Sequence, residues 1–133
     1  MECFHVAIYS DYEEFWRYNL IVMSDATGDG ESHELLKARS DIAPIGASLL
    51  APPKDYNPER RIELHHAPAK NLTLYIYVLP HTMPLAMQRD GNPSIADVQP
   101  FGLRVEVLHG DRVCHAHTHE VDQWAGATIQ LSM

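Results

Sequence analysis

Apolar and polar side chains alternate along much of this chain. The clearest case is the segment 71–79, "NLTLYIYVL", in which every second residue is Leu, Ile or Val. Because neighbouring side chains of a β-strand point to opposite faces, this period of two predicts a strand with one buried face. Six further segments are predicted as strands in the same way, at residues 4–8, 16–22, 62–64, 101–107, 113–121 and 127–131.

Stretches rich in turn-forming residues separate these segments, among them "SDATGDGES", "APPKDYNPER" and "MQRDGNPS". A short helix is expected only at "ESHELLKAR" (31–39), where Ser32 is a suitable N-cap. About seven strands with few helices predict an all-β protein, an antiparallel β-sandwich. A β-barrel is the alternative. The length of 133 residues predicts one domain that spans 1–133.

The segment 113–121, "VCHAHTHEV", carries a histidine at every second position, and we call His115, His117 and His119 the histidine stripe. Gly and Asp at 110–111 predict a two-residue hairpin turn before it. An unbroken ladder from that turn pairs Glu106 with His115 and Arg104 with His117 on the polar outer face.

Two interpretations of the stripe follow. In the first, the histidines belong to a solvated outer strand face, which needs no ligand. Alternatively, His115 and His117 bind one metal ion together with Glu106 on the neighbouring strand, and zinc is then the possible cofactor. His119 is not expected to join them, because residues four apart on a strand lie roughly 13 Å apart.

Three aromatic residues are candidates for a binding surface. Tyr75 and Tyr77 fall on the strand face opposite Leu74 and Ile76, and Trp124 follows the stripe. Exposed aromatic rings provide a large contact area at low entropic cost, which suits a protein or carbohydrate partner. Packing in the core is the alternative role.

Charge and hydropathy exclude other partners. With 18 acidic and 10 basic residues the formal net charge is −8, which disfavours contact with nucleic acid. No apolar run approaches the roughly 20 residues of a membrane-spanning helix.

The chain as given is expected to be soluble. It belongs to the cell envelope or is secreted if a signal peptide has been removed, and it is otherwise cytoplasmic. An unpaired edge strand makes a homodimer possible.

The sequence favours a protein without catalytic activity. Cys3 and Cys114 match no Cys-x-x-Cys pattern and are expected to be free buried thiols, with a disulfide between them as the alternative. Neighbours on a strand point apart, so Cys114 and His115 cannot form a catalytic dyad. Ser48 in "IGASLL" lacks the second glycine of a nucleophile elbow.

The endings "YVLPHTMP", "IADVQPFGLRVEV" and "VDQWAGATIQL" resemble those of small uncharacterised bacterial β-sandwich proteins with an immunoglobulin-like or C2-like shape. That resemblance implies a binding or accessory module and assigns no site residue. The sequence therefore predicts a non-enzymatic β-sandwich that binds a protein or carbohydrate. A metal-binding domain that uses the His-x-His at 115–117 is the alternative.

Overall fold

The computed structural model describes residues 1–85 and 98–133, so the predicted loop "MQRDGNPS" lies outside the described residues. The described residues form eight strands and one short 3-10 helix, η1 (Phe15–Arg17). The strands are β1 (Cys3–Tyr9), β2 (Tyr18–Thr27), β3 (His33–Ser40), β4 (Arg61–Pro68), β5 (Asn71–Pro80), β6 (Phe101–His109), β7 (Arg112–Val121) and β8 (Ala127–Ser132).

The eight strands make two four-stranded sheets. Sheet A has the order β4-β1-β6-β7 and sheet B the order β3-β2-β5-β8. Every neighbouring pair is antiparallel. The described strands do not close into a barrel, and the predicted antiparallel β-sandwich is confirmed.

The alternating residues of both sheets enclose one hydrophobic core. Central strands β1 and β6 of sheet A and β2 and β5 of sheet B supply most of it, as their apolar periodicity predicts. Its fully buried members include Phe4, Val6, Ile8, Leu20, Val22, Leu74, Ile76, Leu103, Val105 and Val107. The outward positions of the same strands form the two outer faces on which candidate sites lie.

The prediction of a helix at 31–39 is wrong, because residues 33–40 form strand β3. The strand pairs with β2 at eight consecutive positions. Its side chains alternate between half-buried and exposed, with Ala38 packed against the core and Leu35 facing outward. Pairing along a sheet edge therefore overrides the helix propensity of "ELLKAR".

One end of the sandwich is held by Arg17, whose side chain is fully buried. Its guanidinium donates to the carbonyl of Thr82 at 3.0 Å and to Gln123 Oε1 at 2.7 Å. Its Nε lies 2.9 Å from the carboxylate of Glu14. A buried cation with several partners costs much to disturb, so these contacts fix η1 against the segments that follow β5 and β7.

Candidate functional site

The β6–β7 hairpin differs from its predicted pairing. The turn at 110–111 is present, but Leu108 pairs with Val113 whereas Val107 pairs with His115, which leaves Cys114 as an extra residue in β7. Such a β-bulge exchanges the faces of the residues that follow it. The predicted pairing of Glu106 with His115 is therefore wrong, and the histidine stripe lies on the inner face of sheet A.

The three imidazoles of the stripe converge at the open edge between the sheets. The Nε2 atoms of His115 and His119 are 2.9 Å apart, and the ring centroids of His117 and His119 are 4.8 Å apart. The expectation that His119 stays apart is wrong, because each side chain extends along the strand and shortens the backbone separation. Burial lowers the pKa of His115 and of His119, which favours neutral imidazoles.

Glu106 lies on the opposite face of sheet A from the stripe. It accepts a hydrogen bond from the hydroxyl of Tyr9 at 2.9 Å, and its other oxygen lies 3.8 Å from Arg104. These residues line an open groove of about 490 Å³ on the outer face. The predicted set of His115, His117 and Glu106 is therefore not brought together.

The outer face of sheet A instead brings together His5, Glu63 and His65. His5 of β1 pairs directly with His65 of β4, and Glu63 lies two residues before His65 on the same face. One ligand atom of each residue lies within 4.8 Å of those of the other two. Alternation at "FHVAIY" and "IELHHAP" places all three on polar faces, but the sequence does not reveal that β1 pairs with β4.

Tyr75 and Tyr77 lie half-buried on the outer face of sheet B. Across the β2–β5 ladder they pair with Met23 and Ile21, which are also half-buried. We call these four residues the tyrosine patch. Neither phenol hydroxyl has a hydrogen-bond partner among residues 1–85 and 98–133.

Trp124 lies apart from the tyrosine patch, in the turn between β7 and β8. Its backbone N–H donates to Asp122 Oδ1 at 2.8 Å. With Pro80 and Thr82 it lines a groove of about 240 Å³ at the end of the sandwich. Its indole Nε1 is buried and without a hydrogen-bond partner among the described residues. The three predicted binding aromatics therefore do not form one surface.

A serine, a histidine and a glutamate are linked in the order of a hydrolase triad. His66 Nε2 lies 2.8 Å from Ser24 Oγ, and His66 Nδ1 lies 2.8 Å from Glu34 Oε1. The sequence does not reveal this set, because its three members come from the separate strands β2, β3 and β4. A nucleophile must reach its substrate, yet Ser24 is fully buried. The set therefore acts as a polar link between the two sheets.

Both cysteines are free thiols, so the alternative of a disulfide between them is wrong. Cys3 is exposed, contrary to the expected burial, because it lies at the start of β1 before the core residue Phe4. Cys114 is partly buried and packs against the core from its place in the bulge.

No family model, curated protein or solved structure matches this chain. The resemblance to small bacterial β-sandwich proteins stays a prediction. Within the two described ranges, no helix is both long enough and apolar enough to cross a membrane.

Proposed function

We propose that the protein is a non-enzymatic binding module and that a protein partner docks on the outer face of sheet B. The observation that carries this proposal is the tyrosine patch at the centre of that face. Outer faces of antiparallel sheets are ordinarily polar, and a contiguous apolar area there is typical of an interaction site.

The composition of the patch favours a protein partner. Tyrosine and methionine are enriched in the centres of protein interfaces, and a tyrosine offers both an apolar ring and a hydroxyl donor. Ile21 and Met23 add aliphatic surface between the rings and the edge strand. A carbohydrate is the alternative ligand, since sugars also stack on tyrosine rings.

Charged residues border the patch on one side. Lys37 and Arg39 of β3 pair with Met23 and Ile21, and both are exposed. On the other side Gln130 and Thr128 of β8 pair with Tyr75 and Tyr77. An apolar centre with a polar rim is the usual anatomy of an interface. Arg39 is already paired with Asp41, so Lys37 supplies the positive charge on this side that favours an acidic partner surface.

The test compares the double variant Tyr75→Ser with Tyr77→Ser against Tyr9→Ser. Tyr9 is a half-buried tyrosine on the outer face of sheet A, so it controls for the loss of a surface ring. A partner isolated by affinity capture is purified, and its Kd is measured for each protein. We expect the double variant to weaken binding at least about thirtyfold, the effect of losing one interface hot spot of about 2 kcal/mol.

An unchanged Kd in the double variant, or an equal loss in Tyr9→Ser, would contradict docking on sheet B. A glycan array and sedimentation velocity, run on the same three proteins, distinguish a carbohydrate ligand and a second copy of this chain from a protein partner. The role of His115 and His117 as metal ligands stays a prediction, and its test is included in the zinc experiment below.

A further inference from the structure

We propose that His5, Glu63 and His65 form a binding site for zinc on the outer face of sheet A. This proposal goes beyond the docking function, and it concerns the other sheet, so each can fail independently of the other. Among the described residues these three form the one group of three metal-ligating side chains whose donor atoms lie within 4.8 Å of one another.

The sheet itself creates this arrangement. Direct cross-strand neighbours lie about 5 Å apart at their Cβ atoms, and residues two apart on one strand share a face. His65 is the direct cross-strand neighbour of His5, and it lies two residues from Glu63 along β4. The rings of His5 and His65 stack with centroids 4.0 Å apart and planes inclined by 25°. Rigid paired backbone therefore holds all three donors together.

The donor set suits zinc. Imidazole nitrogen and carboxylate oxygen are both zinc ligands, and two histidines with one glutamate make a known three-ligand set that leaves a fourth position open. Donor atoms around tetrahedral zinc lie roughly 3.3 Å apart, given bond lengths of about 2.0–2.1 Å. Glu63 and His65 are exposed and can rotate to close the remaining gap.

His5 supplies an independent observation. Its Nε2 atom is buried and has no hydrogen-bond partner among the described residues. A buried polar atom without a partner is costly, and a bound ion is one of the arrangements that removes this cost. Coordination of the ion by Nε2 would give this atom a partner. It would also order the imidazole of His5, which the sheet already holds beside His65.

Arg61 orients the carboxylate of Glu63. Its Nε donates to Glu63 Oε1 at 2.9 Å, and this bond orients the carboxylate. An oriented and ionised carboxylate is the form that binds a metal, and hydrogen bonds from outside the ligand set commonly tune affinity. The second oxygen of Glu63 has no hydrogen bond to another described residue, which leaves it available to the ion.

The site is tested by zinc titration of the purified, metal-stripped full chain, with a chromophoric chelator as competitor. The variants are His65→Gln, Glu63→Gln and the double variant His115→Gln with His117→Gln, which we call the stripe variant. His65 and Glu63 are exposed, so their replacement leaves the core intact, and circular dichroism of each variant verifies the fold. The stripe variant is the matched control, because it also removes imidazoles from one strand of sheet A.

We expect the wild type to bind one equivalent of zinc. We expect His65→Gln and Glu63→Gln each to weaken binding at least tenfold, with little change in the stripe variant. Cobalt substitution should give visible absorption that His65→Gln removes. Absence of binding at about 100 μM zinc would overturn the proposal. So would a loss of binding in the stripe variant alone, which would instead assign the metal to His115 and its neighbours.

Discussion

Histidine has distinct physical roles at different positions of this chain. His66 is buried and bonded at both ring nitrogens, to Ser24 and to Glu34. His65, the preceding residue, is exposed on the other face of the same strand. The same residue type is thus a structural link at one position and a candidate ligand at its neighbour, because strand alternation gives the two side chains different surroundings.

The link through His66 predicts a coupled loss of stability. We expect His66→Leu to lower the free energy of unfolding by about 1–3 kcal/mol, because it leaves the buried Ser24 hydroxyl without a partner. Urea denaturation measures this loss. In the double variant Ser24→Ala with His66→Leu that unsatisfied hydroxyl is absent, so we expect the combined cost to be smaller than the sum of the two single costs. Strictly additive costs would contradict a coupled pair.

At the scale of elements, one extra residue decides the environment of the histidine stripe. The bulge at Cys114 turns the histidines that follow toward the inner face, where β7 is an edge strand. An edge position explains why this inner face remains partly open. The turn after β7 also depends on a single residue. Gly126 pairs with Asp122 across this turn and has a φ of +72°, a backbone conformation that favours glycine.

Adding a single methyl group at Gly126 is therefore expected to lower the stability of the protein strongly. A Cβ at this position would overlap the carbonyl oxygen of Val78, whereas one at Gly30 would meet nothing within 4 Å. Both glycines have positive φ, so Gly30→Ala is the matched control and costs about 1–2 kcal/mol for its conformation alone. We expect Gly126→Ala to lower the melting temperature clearly more. Equal shifts of the two variants would show that the close approach has no effect.

At the scale of the whole molecule, buried polar groups make stability depend on pH. Burial, with smaller contributions from Arg60 and Arg17, lowers the pKa of His81. Its Nε2 donates to the Trp16 carbonyl, and its Nδ1 lies 2.7 Å from Thr82 Oγ1. The unfolded chain therefore binds a proton at His81 more readily than the folded chain does.

This difference fixes the sign of the pH effect. The stabilisation linked to His81 is complete above the ordinary histidine pKa of about 6.5 and is lost as the pH falls below it toward the lowered value. We expect unfolding free energies from urea titrations between about pH 5 and 7.5 to fall on acidification, at most about 1.4 kcal/mol per pH unit for this group. In His81→Gln the fall should be smaller, and parallel curves for the two proteins would refute the assignment.

The sequence by itself determined the sandwich, most of its strands and the tyrosine row, because side-chain alternation is a local property with a fixed period. Tertiary structure decided the rest. The pairing of β2 with "ELLKAR" made a strand of a predicted helix, and a one-residue bulge separated Glu106 from His115. The approach of His5 to His65 depends on β1 pairing with β4, strands about sixty residues apart in the chain. Local patterns record which face a side chain occupies, whereas a site requires knowing which strands are neighbours.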